Sequence, residues 1–226
     1  MTEIVSTQES RERIAHRIAY EFSRMGTPLV VNLGVGIPTM VANYIDDQGI
    51  FIQAENGMMG VGPKASEEKA DRRLINAGRE PVSETLGCSY FDSAASFGMI
   101  RGGHVDVTVI GAFEVDETGN IANWIIPNGR QLGVGGAMDL VSGARQVIVA
   151  MRHCSRDGKS KLVRSTSLPV TGFHEVDMVV TEFGFFRFVE GVLILEEIAP
   201  EITVDHLVRM TEAKFTVATD LKTFDV

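Results

Sequence analysis

Short, almost wholly apolar runs are the sequence feature that most constrains how this chain can fold. Two of them are LVVNL (29–33) and IFIQA (50–54), and their length is typical of strands rather than helices. Apolar residues at successive positions suit a strand that is covered on both faces, as in a parallel sheet. Between the two runs the sequence GVGIPT turns the chain, and Pro38 can occupy the first position of a helix. This order of strand, loop, helix and strand predicts a parallel α/β core.

Further segments extend the pattern along the chain. Residues 9–25 are predicted to form an amphipathic helix, because Ile14, Ile18 and Phe22 repeat every four residues and leave arginines such as Arg17 mostly off the apolar stripe. The other predicted segments are a glycine-rich loop region after residue 54, a helix around 89–103, strands at 105–113 and 146–151, hairpin turns at Thr118–Gly119 and Glu190–Gly191, a short helix within 203–215 and a closing strand at 215–218. No linker divides these segments, so we expect one domain over residues 1–226.

Composition excludes several classes of partner. The formal net charge of −9 argues against a nucleic-acid-binding protein, which needs a basic face, and weakly against docking on anionic membranes. The N-terminal segment carries acidic residues before any apolar run, unlike a signal peptide. No run reaches the roughly 18 apolar residues that a spanning helix needs. Cys88 and Cys154 match no disulfide or metal framework, so we expect a cytoplasmic protein.

Two familiar kinds of site are not supported by the motifs. GVGIPT (34–39) follows a strand and precedes a helix, but it lacks the last glycine or alanine of the dinucleotide fingerprint, and the chain has no Walker loop. Glycine amides at a helix start can still face an anion, although a tight turn explains the same residues equally well. The five histidines show no metal-binding spacing. We therefore expect no metal site.

Glu55 is the most unusual polar residue of the chain, because it ends an apolar strand and is followed at once by Asn56 and Gly57. Open α/β sheets place their sites at the carboxyl ends of strands. A carboxylate is ionised at pH 7, and it can attack an activated acyl group without a general base. Partial burial beside methionines and glycines would remove water from it and raise its reactivity. A carboxylate that only caps a turn fits the local pattern equally well.

Seven motifs occur in an order that matches a known family. They are NLGVGIPTMVANYI, ENGMMGVGP, LINAGRE, SYFDSAASFGMIRGGHVDVTVIGA, NIANWIIP, GVGGAMDLVSGARQVIVAM and LPVTG. With them the chain resembles the β subunit of the family I CoA-transferases, or the C-terminal half of fused 3-oxoacid CoA-transferases, from about residue 11 to about residue 218. The resemblance implies the fold of that subunit, an α/β domain with an open, largely parallel sheet flanked by helices.

The resemblance also implies a mechanism. In the family the glutamate of the ENG segment, here Glu55, is the covalent nucleophile of a ping-pong cycle. Its carboxylate attacks an acyl-CoA to give a mixed anhydride, and CoA then returns to form a glutamyl-CoA thioester that the acceptor acid opens. Coenzyme A is a substrate in this cycle, and no permanently bound cofactor, ATP or metal is implied.

Other positions follow from the same motifs. Family members use the second glycine of GGAMD, here Gly136 beside Gly135, for the oxyanion, and the asparagine corresponding to Asn32 lies where CoA meets the glutamate. Arg79 stands where fused animal members carry a lysine near the site. Without the resemblance, Asn32 could simply end a strand and Gly136 could serve helix packing. The candidate site comprises Glu55 as the catalytic residue and Gly136, Gly135, Asn32, Asn56, Gly57 and Arg79 as oxyanion or CoA-binding residues.

The resemblance further implies that this chain is half of an enzyme. We expect an α subunit as partner, usually in an α2β2 assembly, and little activity of the β subunit alone. The expected acid is acetoacetate, exchanging with acetate, butyrate or succinate. Two alternatives remain, namely an acyl-CoA hydrolase that uses the same glutamate and a non-catalytic domain that binds CoA or a nucleotide.

Overall fold

The computed structural model describes residues 5–66, 68, 70–127, 129 and 133–224. Its helices are Thr7–Met25 (α1), Ile37–Met40 (α2), Ser93–Arg101 (α3), Ala137–Gly143 (α4) and Val204–Met210 (α5), with a 3₁₀ helix at Val41–Tyr44. Its strands are Leu29–Leu33 (β1), Ile50–Ala54 (β2), Met58–Lys64 (β3), Val82–Tyr90 (β4), Val107–Ile110 (β5), Glu114–Asp116 (β6), Ile121–Ala122 (β7), Gln146–Ala150 (β8), Leu162–Val163 (β9), Met178–Val180 (β10), Gly184–Val189 (β11), Val192–Ile198 (β12) and Thr216–Thr223 (β13). Within these ranges, no helix has the length and apolar character needed to cross a membrane.

A ten-stranded sheet with the order β13-β12-β11-β10-β8-β5-β1-β2-β3-β4 dominates the described residues. The central strands β10, β8, β5, β1 and β2 are parallel, which confirms the predicted parallel core. Antiparallel strands extend it at both sides, β3 and β4 beyond β2, and β11 and β12 beyond β10. The strand order reverses at β1, because the chain passes from β1 to β2 on one side and later to β5 on the other. Ligand sites of α/β sheets lie at such points, beyond the carboxyl ends of the strands.

Helices cover both faces of β1. Leu29 and Val31 belong to the main apolar cluster, on the side where α1 packs. Val30, between them, packs against Ile100 of α3 and Leu140 of α4. Because successive side chains of a strand point to opposite faces, this alternation buries β1 from both sides, as its apolar sequence predicts.

The glycine-rich region after residue 54 is where the predicted loop is wrong. Residues 58–64 form β3, which pairs antiparallel with β2, and residues 82–90 form β4. The ENG segment is therefore a tight turn between two strands. The helix predicted around 89–103 is shorter for the same reason. It begins after Asp92, whose carboxylate accepts a hydrogen bond from the amide of Ala95 at 2.8 Å.

Other predicted elements are confirmed with small changes in length. The helix α1 begins two residues before the predicted start and ends at Gly26, whose positive φ of 82° suits glycine. β1 and β2 have the predicted bounds. Both predicted hairpin turns join antiparallel strands, β6 with β7 and β11 with β12.

Arg17 departs from the expectation that the arginines of α1 lie mostly off the buried stripe, since only 1% of it is exposed. Its guanidinium donates to Glu197 at 2.6 and 2.8 Å and to Glu21 at 3.1 Å, and it lies 4.0 Å above the ring centre of Phe185. Burial alone would raise the pKa of Glu21, but hydrogen bonds and charge attraction from Arg187 and Arg17 lower it. This cluster of paired charges ties α1 to β11 and β12.

Replacing Arg17 by leucine is expected to destabilise the fold by about 3–5 kcal/mol, because it leaves buried carboxylates of Glu21 and Glu197 without their main partner. Urea unfolding measures the change. Arg24→Leu is the matched control, since the Arg24 side chain is 49% exposed and lies 3.6 Å from Glu21. Its loss should cost less than about 1 kcal/mol. Equal effects of the two substitutions would contradict this account.

Candidate active site

The turn between β2 and β3 presents Glu55 at the edge of the sheet. The amide of Gly57 donates to the carbonyl of Ala54 at 2.9 Å and closes the turn. Gly57 has φ 122°, and a Cβ atom there would lie 2.1 Å from the carbonyl oxygen of Phe91. Only glycine fits at this position. Glu55 is therefore held by a rigid turn, with its side chain half-buried.

Asn56 also builds this turn. Its exposed side chain donates to the carbonyl oxygen of Ile75 at 2.8 Å, which ties the turn to the segment before β4. The contacts of Asn56 and Gly57 thus account for both residues as parts of the support beneath Glu55.

Asn32, on the neighbouring strand β1, reaches the carboxylate of Glu55. Its Nδ2 lies 3.2 Å from Glu55 Oε2 and 2.7 Å from Oε1 of Gln53. Asn32 and Gln53 are paired in the parallel register of β1 and β2, and both are buried. A side-chain amide donor is thereby placed on the carboxylate from inside the protein.

Gly136 comes to Glu55 from a distant part of the chain. It precedes α4, and a Cβ atom built on it would lie 3.6 Å from Glu55 Cγ and 3.1 Å from the ring of Phe97. The first amides of a helix have no acceptor within that helix. Gly135, beside it, is exposed and has φ 52°. The structure therefore brings together Glu55, Asn32 and Gly136, which are far apart in sequence.

A cavity of about 380 Å³ opens beside Glu55. Much of its wall is apolar, with Leu33, Val35, Ile52, Val61 and Val82 among the lining residues. A volume of this size is in the range of small-molecule sites. The wall can keep water from one side of the carboxylate while leaving room for an acyl group.

Two cations at this cavity are absent from the sequence-based prediction. Arg11 of α1 and Lys64 at the end of β3 both line it, and Lys64 forms an exposed ion pair with Glu80 at 3.8 Å. No local motif marks either residue. Arg11 belongs to a helix that reaches the cavity only through tertiary packing.

Arg79 lies apart from this group. It is exposed, has φ 65° and closes a turn in which its amide donates to the carbonyl of Asn76 at 2.9 Å. Its neighbours Asn76, Gly78 and Glu80 line the cavity, whereas Arg79 does not. Its side chain can come near Glu55 only after this turn rearranges.

A larger cavity, of about 1360 Å³, lies beyond the carboxyl ends of β5 and β8. Burial lowers the pKa of Lys161, one of its lining residues, to about 8, against the opposing attraction of Glu182. Val35 lines both cavities, so they adjoin. The smaller cavity is the candidate active site, because Glu55 lines it and does not line the larger one.

Sequence comparison places the chain among known proteins. The family model described as coenzyme A transferase matches residues 28–210. An acetate CoA-transferase subunit beta of Escherichia coli (strain K12) is 48% identical over 217 residues, which are 95% of this chain and 97% of that protein. One subunit of a succinyl-CoA:3-ketoacid coenzyme A transferase of Helicobacter pylori (strain ATCC 700392 / 26695) is 44% identical over 207 residues, or 92% of this chain and 99% of that protein.

Comparison of folds agrees with comparison of sequences. An acyl-CoA transferase apoenzyme of Escherichia coli O157:H7 matches 96% of this chain with a TM-score of 0.75 and 21% identity. This chain spans 43% of that protein, and at such an identity the likeness concerns the fold alone. The family match covers most of the chain, and both sequence relatives align over nearly their whole lengths. The chain belongs to the coenzyme A transferase family.

Proposed function

We propose that this protein is the β subunit of a CoA-transferase that moves CoA between an acyl-CoA and a free carboxylic acid, with Glu55 as nucleophile. The observation that carries the proposal is the convergence on Glu55 of the Asn32 amide, at 3.2 Å, and the Gly136 turn. Family membership supplies the reaction class. A carboxylate that only capped its own turn would need neither neighbour.

The reaction begins when one carboxylate oxygen of Glu55 attacks the thioester carbonyl of the acyl-CoA. The C–S bond breaks, CoA leaves as the thiolate, and a mixed anhydride remains. The thiolate then attacks the glutamyl carbonyl and expels the first acid as its carboxylate, leaving a glutamyl-CoA thioester. The acceptor carboxylate reverses these steps. Each side of the exchange contains one thioester and one carboxylate, so the cycle needs no external energy source.

Asn32 and Gly136 have different tasks in this scheme. If Oε1 of Glu55 attacks, Oε2 becomes the glutamyl carbonyl oxygen, and it gains negative charge when the thiolate returns. Asn32 Nδ2, 3.2 Å from Oε2, is placed to donate to that charge. The amide of Gly136, at a helix start beside Glu55, is assigned to the oxyanion of the incoming acyl group. Each such donor is worth about 2.7–4 kcal/mol in acyl transfer.

The substrates are short-chain acids, with acetoacetate exchanging against acetate, butyrate or succinate. The relatives are named for acetate and for succinyl-CoA with a 3-ketoacid, which supports this range. The cavity of about 380 Å³ suits a short acyl group together with part of the CoA arm. Arg11 and Lys64 at its wall would attract the carboxylates.

Replacing Glu55 by alanine is expected to abolish CoA transfer, and Glu55→Asp nearly so, because a shorter side chain withdraws the carboxylate from the acyl carbon and from Asn32. The measurement is kcat of the complex with its α subunit. Glu12→Ala, at an exposed position of α1, is the control and should retain full activity.

The covalent step is tested directly by trapping. The wild-type complex is incubated with acyl-CoA and reduced with borohydride, and the peptides are analysed by mass spectrometry. Reduction at Glu55 that requires acyl-CoA supports the nucleophile, and unmodified Glu55 under turnover conditions would overturn it. Release of free CoA at the transfer rate without an acceptor acid would instead favour the hydrolase.

Gly136→Ala is expected to lower kcat about tenfold or more, because the added methyl would lie against Phe97 and near Glu55 Cγ. The backbone at φ −87° accepts alanine, so the fold should persist. Gly98→Ala in α3 is the matched control. A Cβ there meets nothing within 4 Å, and alanine favours the helix. Full activity of Gly136→Ala would remove Gly136 from the site.

The relatives named as subunits support an α partner for this chain. We expect the purified β subunit alone to show less than about one per cent of the transfer activity of the co-expressed pair, since the cavity beside Glu55 is open on one side. Enzyme assays with and without added α subunit measure this. Full activity of the isolated chain would contradict the two-subunit proposal.

A further inference from the structure

A chain of buried polar side chains leads from α3 to the nucleophile. Gln53 Nε2 donates to Ser96 Oγ at 2.8 Å, Asn32 Nδ2 lies 2.7 Å from Gln53 Oε1, and the same Nδ2 lies 3.2 Å from Glu55 Oε2. At most 1% of Ser96, Gln53 or Asn32 is exposed. Gln53 and Ser96 have no part in the reaction as described so far.

The direction of every bond in this chain follows from the acceptors around Asn32. Its Nδ2 faces the backbone carbonyl of Gln53 at 3.2 Å and the carboxylate of Glu55, and both can only accept when the carboxylate is ionised. The nitrogen of Asn32 must therefore point this way. Gln53 must then offer Oε1 to Asn32, which leaves Nε2 for Ser96. The hydroxyl of Ser96 is the acceptor at which the order begins.

This orientation leaves a polar atom of Asn32 unpaired. Asn32 Oδ1 is buried and has no hydrogen-bond partner among the described residues. An unpaired buried acceptor destabilises a fold, so Asn32 gains nothing at Oδ1 from this rotamer. Turning the amide over would put Oδ1 against the oxygens of Gln53 and Glu55. The bond to Gln53 Oε1 is the contact that selects the observed orientation.

We infer that Gln53 and Ser96 are positioning residues that hold the Asn32 amide on Glu55 Oε2, and so fix the other carboxylate oxygen toward the cavity. The inference rests on the proposed function of Glu55. Ser96 sets the rotamer of Gln53, Gln53 sets that of Asn32, and Asn32 sets the carboxylate. Neither positioning residue touches the substrate. Their effect should appear in kcat rather than in KM.

The test uses the complete αβ complex and two substitutions, Ser96→Ala and Gln53→Met. Each is expected to lower kcat about tenfold or more with less than about a twofold change in KM, because a misdirected nucleophile slows the chemical step without weakening binding. The rate of borohydride-trappable adduct formation on Glu55 in a single turnover should fall by the same factor.

Thr108→Val is the matched control. Thr108 pairs with Asn32 in the register of β1 and β5, is equally buried, and its hydroxyl has no partner among the described residues. The substitution removes a buried hydroxyl from the same layer without touching the chain from Ser96 to Glu55. It should leave kcat within about twofold of the wild type.

A double-mutant cycle separates positioning from general structural damage. In an Asn32→Ala background, Ser96→Ala and Gln53→Met should cause no further loss of kcat, because they act through Asn32. Losses that add to that of Asn32→Ala, or wild-type kcat in the single variants, would overturn the inference. Unmodified Glu55 in the wild type would instead mean that the proposed function itself has failed. Adduct formation at the wild-type rate in the variants would defeat the positioning role alone.

Discussion

Burial of β1 on both faces is the constraint on which the site depends. A central strand covered by helices has no water to satisfy a polar side chain, so any such side chain must bond to its neighbours. Asn32 is the polar residue that the apolar run LVVNL contains, and it lies one residue before the strand ends. Its bonds can reach only sideways, to Gln53 on β2, and forward, to Glu55 beyond that strand. The nucleophile is therefore oriented from the protein interior.

The sequence predicts the parallel core well because each apolar run is a local signal. The place of Glu55 at a strand end is equally local, and the family motifs link it to Asn32 and Gly136, which the structure brings together. The positioning role of Gln53 has no such signal. A glutamine within a buried strand gives no sign of its partner, since Ser96 lies on a helix that packs across the sheet. Such a pairing depends on tertiary structure alone.

The errors of sequence interpretation share a physical cause. Glycine between residues 57 and 62 indicates a loop by composition, yet Met58–Lys64 is a strand. At Gly60, a Cβ would lie 2.8 Å from Thr85 Oγ1, so the residue is small because β4 packs closely against it. Helical periodicity places Arg17 outside the buried stripe, because it does not show that Glu197 lies opposite. Both cases depend on a neighbour distant in sequence, which local patterns do not contain.

Transfer rather than hydrolysis requires that water be kept from the glutamyl thioester, and this chain provides only part of that protection. Apolar residues near the site remain exposed, with Val35 at 68%, Ile126 at 42% and Met138 at 40%. Val35 lines the cavity beside Glu55, and Met138 lies in the first turn after Gly136. On the proposal of an α subunit, these side chains are the part of the wall that a second chain would cover. The orientation of Glu55 then belongs to the β subunit, since Asn32 and Gln53 are buried within it, whereas exclusion of water belongs to the assembly. A family that divides the two tasks in this way can change its acid specificity through the partner without disturbing the nucleophile.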